Sequence, residues 1–179
     1  MFDWAVSPYT TLIITFVFAA YFSQGVVGDP VEGQALWSLA MGLAGIGFAL
    51  AAPILGTVAD GQGRLKPWIV GFTLAGAMAS IGLWWVEPDP RFIIAAILLV
   101  VVGNLATEFA ALFVNALLPN IVSPERLGRL SGWAWGLGYA GGLAALVIAL
   151  LFFIWPEQPP LGLSKEVAEH VRAIGPLVG

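Results

Sequence analysis

The stretch whose reading decides the fold is FIIAAILLVVVGNLATEFAALFVNALL, from Phe92 to Leu118. A helix needs about 20 mostly apolar residues, at about 1.5 Å rise each, to cross the roughly 30 Å of a bilayer's hydrocarbon core. This run is long enough and carries one charge, Glu108. Ile93 to Val102 are apolar without interruption. A membrane-barrel strand would alternate apolar and polar residues over about 9–11 positions. Four further runs have the same character: Thr10 to Gly28, Leu36 to Ala59, Trp68 to Val86 and Leu130 to Trp155. The pattern predicts an all-α integral membrane protein with five transmembrane helices, at about 10–28, 36–59, 68–86, 92–118 and 130–155.

Composition agrees. Of the 179 residues, 59% are apolar or aromatic and 10% are charged. Soluble domains run near 45–50% apolar and about 25% charged. A disordered chain needs low hydrophobicity, so disorder is excluded. There is no cysteine, hence no thiolate metal site, disulfide or thiol nucleophile, and there is one histidine. The net charge of −4 gives no basic face for nucleic acid. No cofactor is expected.

The remaining charges punctuate the runs. Asp29 and Glu32 follow the first, and Asp60, Arg64 and Lys66 follow the second. Glu87, Asp89 and Arg91 separate the third from the fourth, and Glu125, Arg126 and Arg129 the fourth from the fifth. All eight tryptophans fall within a few residues of a run end, where the ring meets lipid and its N–H meets water. Lys and Arg concentrate in the 2–3 and 4–5 loops, which the positive-inside rule places in the cytoplasm. That orients the N-terminus to the cytoplasm of a cell (inner) membrane and the segment after Trp155 to the outside. No cleavable signal is recognised, so the first span is expected to remain as an anchor.

After Trp155 the sequence is polar through Pro160. A short amphipathic helix is expected from Lys165 to about Ala173, with Ser164 as its N-cap and Val167, Val171 and Ile174 along the face that meets the membrane surface. His170 on it is expected to be solvated. The last residues, Ala173 to Gly179, resemble the approach to another apolar helix. Residues 156–179 therefore read as an extracytoplasmic loop leading into a sixth helix, and the chain as a piece cut at its start.

Glu108 is the leading candidate for function. A carboxylate near mid-membrane costs about 2.5–3.5 kcal/mol on insertion scales unless it meets water or a partner. Asn104 and Asn115 fall within about 40° of it on a helical wheel, so one face of the fourth helix is polar. That face reads either as the lining of a water-filled solute path, with Glu108 as a proton or cation site, or as a protonated Glu hydrogen-bonded to a neighbouring helix. Small residues recur at Gly45, Ala49, Ala52 and Gly56 in the second helix, and at Gly132, Gly136 and Ala140 in the fifth. Such faces permit close helix packing. Gly136, Gly138 and Gly141 spell G-x-G-x-x-G, but inside an apolar helix the motif lacks the strand–turn–helix that dinucleotide binding requires. Enzyme chemistry is not expected: no aspartate pair lies within the spans, the histidine lies in the tail, and neither a zinc-protease nor a phosphate-loop motif is present.

The loop Gly56-Thr-Val-Ala-Asp60-Gly-Gln-Gly63-Arg64-Leu-Lys66-Pro67 resembles the signature between helices 2 and 3 of the major facilitator superfamily. Gly56, Asp60, Gly63, Arg64 and Lys66 match it, while Gly61 stands where a basic residue is usual. Three other stretches resemble the superfamily's vacuolar-effluxer-like branch: Phe2-Asp3-Trp4-Ala5-Val6-Ser7-Pro8-Tyr9, Asn115-Ala-Leu-Leu-Pro119, and Gly128-Arg129 through Gly141-Gly142. Val6 replaces an Asn of the branch, and Leu137-Gly138 stands where antiporters of the superfamily carry Gly-Pro. The resemblance implies a twelve-helix secondary transporter that alternates access around a central cavity, this chain supplying helices 1 to 5 of the N-terminal half. It also implies that Asp60 and Arg64 lock the cytoplasmic side, and that helices 1 and 4 line the cavity.

Together these readings predict a permease for a small polar solute, possible amino-acid efflux included. Its partners would be the lipid bilayer, the solute and the missing C-terminal half of the same protein. The alternative is a non-transporting membrane interaction module or a degenerate half-transporter.

Overall fold

A computed structural model describes residues 2–62 and 64–179. Among the described residues there is no strand, and five helices are long and apolar enough to cross a membrane. They are α1 (Phe2–Val27), α2 (Pro30–Gln62), α3 (Leu65–Gly82), α4 (Ile93–Leu117) and α5 (Pro124–Ile154). Two short helices follow in the tail, α6 (Glu169–Arg172) and α7 (Ile174–Val178).

Local chemistry sets the boundaries. Gly28 takes φ +80°, a left-handed conformation that closes α1. Asp29 then caps α2: its Oδ1 accepts from the N–H of Val31 at 2.8 Å and of Glu32 at 2.9 Å. Pro30 suits the first helical position because its missing N–H would have had no partner there. At the other hairpin, Asp89 Oδ1 accepts from the Arg91 N–H at 2.9 Å, with Pro90 again leading the chain into the helix. Ser123 and Pro124 repeat the arrangement before α5, without a side-chain cap bond.

Helix α1 is the spine of the bundle and the most buried of the five. Its Leu12, Ile13, Phe18, Phe22 and Val26 are fully enclosed, packed with Trp37, Leu83, Val86, Ala96, Val100, Ala149 and Ile174 from the other elements. Two stretches of α1, Tyr9–Phe16 and Phe22–Val27, are wound with i→i+5 turns. A second cluster joins α2, α3 and α4 through aromatic rings. Phe48 and Phe109 lie 4.9 Å apart, Phe72 and Phe109 5.1 Å, and Trp68 and Phe113 5.7 Å.

Helix α1 begins at Phe2, not Thr10, because Phe2, Trp4, Ala5 and Val6 continue its apolar face down to the N-terminus. Trp37 does not present its ring to the surroundings: it is buried against Phe18 and Phe22, a full turn and more inside α2. The seam of small residues on α5 also differs from the expected one. Gly132 and Gly136 face open space, as does Gly45 on α2. The packed glycines are Gly138, Gly141 and Gly142, which lie against Ser7, Trp4 and Thr11 of α1. A methyl group on Gly141 would stand 2.7 Å from the Trp4 carbonyl oxygen. The G-x-G-x-x-G spacing thus contributes to a helix–helix seam.

The tail departs from its expected form as well. Ala168 takes φ +54°, which breaks the expected helix and delays α6 to Glu169. Ser164 turns the preceding loop instead, its Oγ accepting from the Glu166 N–H at 3.2 Å. The segment then folds back onto the bundle. Arg172 is only 7% exposed, donates from Nε to the Trp84 carbonyl at 2.7 Å and lies 5.3 Å over the Trp84 ring. Ser80 Oγ donates to the Gly175 carbonyl at 2.9 Å, which fixes α7 along α3.

Candidate functional site

Successive antiparallel helices bring the start of α1, the end of α4 and the start of α5 to one end of the bundle. Between them lies a cleft of about 360 Å³. Helix α4 contributes Thr107, Glu108, Ala111 and Asn115, spaced along one face at helical intervals. Helix α1 contributes Phe2, Asp3, Val6, Ser7, Thr10 and Thr11, and α5 contributes Trp135, Gly138 and Tyr139. The volume lies within the range of small-molecule sites, about 300–1,000 Å³. Glu108 is nine residues, roughly 14 Å, from the end of α4 at Leu117. It is exposed, so its carboxylate opens into the cleft and is not enclosed by protein.

The structure brings Glu108 and Asn115 together on this wall and leaves Asn104 off it. On another face of α4, Tyr9 of α1 packs directly on Gly103, and its hydroxyl donates to the Val100 carbonyl at 3.0 Å. A side chain at 103 would collide with the phenol, so glycine is what lets α1 and α4 touch there. Asn104 itself is half-buried and does not line the cleft.

The cleft residues that sequence reasoning missed lie on α1. Asp3, Ser7, Thr10 and Thr11 form a polar stripe at three- and four-residue spacing. The signal was present but invisible once the first span was started at Thr10. Trp135 and Tyr139, one turn apart with ring centroids 5.9 Å from each other, line the cleft from α5. Val6, which replaces a polar residue of the resembled motif, leaves that part of the lining apolar.

The 2–3 loop residues are spread over the junction of α2 and α3. Gly56 lies within α2 with open space beside it, and Asp60 lies on its last turns. Gly63 lies outside the described residues. Arg64 precedes α3 in a non-helical conformation and Lys66 sits in its first turn, both exposed. Two cations at the positive end of a helix oppose its dipole. Their position therefore does not serve the stability of α3.

In the tail, the environment of His170 perturbs its titration. Partial burial pushes His170 below the ordinary imidazole range, Lys165 adds to that, and a backbone hydrogen bond at Ser164 opposes it. Among the described residues its Nδ1 is buried without a hydrogen-bond partner. The neutral form is thus the one that fits the docked tail, in contrast to the solvated histidine expected. Among the described residues, no group of acidic and histidine side chains is arranged to hold a metal ion.

Residues 26–129, more than half of the chain, match the family described as Vacuole effluxer Atg22 like. The chain belongs to that family. Among curated proteins, a relative of this Atg22-like chain is the uncharacterized MFS-type transporter YxiO of Bacillus subtilis (strain 168). The two are 24% identical over 174 residues, covering 96% of this chain and 40% of that protein. The chain thus spans well under half the length of the curated relative it matches. No solved structure matches it. Five apolar helices and the Atg22-like membership make the chain a multi-pass membrane protein of the major facilitator type.

Proposed function

We propose that this chain forms helices 1 to 5 of the N-terminal half of a secondary transporter that moves a small polar solute by alternating access. One observation carries the reading. The polar face of α4, with Glu108 and Asn115, lines an open cleft together with the polar stripe of α1. A carboxylate so deep in an apolar helix is tolerable where it meets water or a partner, and intramembrane carboxylates of this kind mark solute or proton paths. Membership in an effluxer-like family and similarity to an MFS-type transporter support the same reading. Amino acids belong to the solute class it allows.

In this reading Glu108 is the coupling group and takes up or releases the proton that drives uphill movement. Asp60, Gly63, Arg64 and Lys66 form the gate between α2 and α3, with Gly56 allowing the helix beside it to move. The basic loops lie in the cytoplasm of the cell membrane, which also accounts for Arg64 and Lys66 at an unfavourable helix end. The second half of the cavity comes from a C-terminal six-helix half.

The test is Glu108→Gln in the full-length transporter reconstituted in liposomes. Uphill uptake driven by a pH gradient is expected to be lost, while counterflow at saturating solute persists. Undiminished uphill uptake in the variant overturns the role of Glu108.

A further inference from the structure

Helix α1 carries a proline where an unbroken helix would have none. Pro8 has no N–H, so the carbonyl of Trp4, one turn back, lacks its α-helical donor, and the proline ring crowds that carbonyl. The helix nevertheless runs through Pro8, at φ −54°. The turns that follow are wide. Tyr9–Phe16 is wound with i→i+5 turns, and the Val17 N–H donates to the Leu12 carbonyl. Thr15 Oγ donates to the Thr10 carbonyl at 2.9 Å, so a side chain supplements the ladder there. The winding returns to α after Phe16, which sits at φ −109°. Proline and i→i+5 turns are each an identified cause of bending in a helix, and such wide turns gather at functional sites.

The joint divides α1 into parts with different neighbours. Beyond it, Phe18, Phe22 and Val26 are fully enclosed. At it, Tyr9 is pinned to α4 by its bond to the Val100 carbonyl and its packing on Gly103. Before it, no residue of Phe2–Pro8 is buried. This arm holds to α5. A methyl group on Gly138 would stand 2.8 Å from Ser7 Oγ and 3.1 Å from Asp3 Cβ, and Gly141 lies against Trp4. Within Pro124–Ile148 the buried residues are Gly138, Gly141 and Gly142, all on the seam with α1. The α4 side of the cleft is held elsewhere: Phe109 and Phe113 are buried among Phe48, Trp68 and Phe72 of α2 and α3.

We propose that α1 is hinged at Pro8 and the wide turns after it, so that Phe2–Ser7 swings together with the first half of α5 against α4 and changes the width of the cleft. The arm Phe2–Pro8 is seven residues long. At about 1.5 Å per residue it reaches about 10 Å, and a bend of about 20° carries its tip about 3–4 Å. The use of this motion to admit a solute rests on the transport reading above; the motion itself does not.

The experiment measures distances between pairs of spin labels in the protein produced from its complete gene, in lipid nanodiscs, with any cysteine outside residues 1–179 replaced by serine. Ala5→Cys with Ala116→Cys spans the arm and α4. Ala5→Cys with Gly136→Cys spans the arm and α5, and Ala20→Cys with Leu98→Cys spans α1 and α4 beyond the joint. All of these positions are exposed. The first pair is expected to give a distance distribution broader than the other two by about 3–4 Å. Pro8→Ala, which restores the N–H, is expected to narrow it to their width. A first pair no broader than the other two overturns the hinge, and so does a breadth that Pro8→Ala leaves unchanged. Equal breadth in the first two pairs with a narrow third overturns the coupling of the arm to α5. No solute is present, so these results bear on the hinge alone, and a failure of the transport reading would remove only the use of the motion.

Discussion

Gly141→Ala and Gly136→Ala add the same methyl group to the same helix, five residues apart, and are expected to act in opposite directions. At Gly136 the new carbon meets nothing within 4 Å. There the change removes backbone freedom from the unfolded chain and gains helix propensity, worth about 0.5–1 kcal/mol. At Gly141 the new carbon would stand 2.7 Å from the Trp4 carbonyl oxygen and 3.1 Å from Trp4 Cα. Carbon–oxygen contacts settle near 3.3 Å or more, so α1 and α5 must part by about 0.6 Å. The obstacle is backbone on a helix, so no rotamer change relieves it. A gap of about 0.5–1 Å forfeits a quarter to a half of each dispersion contact along the seam. Overpacking of this kind costs about 1–3 kcal/mol, against which the gain in propensity is about 1 kcal/mol. Gly141→Ala is therefore expected to destabilise by up to about 2 kcal/mol and Gly136→Ala to stabilise slightly. Thermal unfolding of the two purified variants in detergent, followed by tryptophan fluorescence, measures the difference. Equal melting temperatures for the two would refute the assignment of the α1–α5 seam to Gly138, Gly141 and Gly142.

Three other outcomes follow from the packing. Tyr9→Phe leaves the Val100 carbonyl without its buried donor and is expected to cost about 1 kcal/mol in the same melting assay, with the α1–α4 contact at Gly103 retained. Arg172→Ala removes the bond to Trp84 and the stacking on its ring, so amide hydrogen exchange in 164–179 is expected to rise while exchange in α4 stays unchanged. Docking of this tail also depends on pH. The imidazole of His170 is held below its ordinary range when docked, so the undocked form takes up the proton first as pH falls below about 6.5. Exchange in the tail is expected to rise from pH 7.5 to pH 5, and His170→Gln is expected to abolish that dependence.

Much of the fold was legible because lipid imposes a coarse and severe rule: every spanning backbone group must be satisfied internally, so long apolar runs become helices. The run at Phe92–Leu118 could be little else. The position of Glu108 and Asn115 on one face followed from helical periodicity alone. What sequence could not provide was which face of each helix meets which neighbour. A helix in lipid is apolar all round, so its packed side is not marked by hydrophobicity. Gly132, Gly136 and Gly138 look alike in sequence, and Gly138 is the one that meets α1. Asn104 shares the polar face of Glu108 on the helical wheel, yet it is half-buried and off the cleft lining, which only the packing of neighbouring helices decides. The start of α1 was obscured by Asp3 and Ser7, which read as flanking polarity and turn out to line the cleft. In the tail, a single left-handed residue, Ala168, broke a helix that capping and periodicity favoured.

The central claim is that the cleft between α1, α4 and α5 is a water-filled path open at the end of the bundle that carries the N-terminus. These 179 residues contain no cysteine, so single cysteines placed among them report without background from this part of the protein. Cysteine would be placed at Ser7, Ala111 and Asn115 on the cleft wall, and at Ile94 and Leu98, which are exposed on α4 away from it. In intact membranes, reaction with a small charged thiol reagent would be timed from each side. Fast labelling is expected at positions 7, 111 and 115 from the side of the N-terminus, and little at 94 and 98. Equal, slow labelling at all five positions would contradict it.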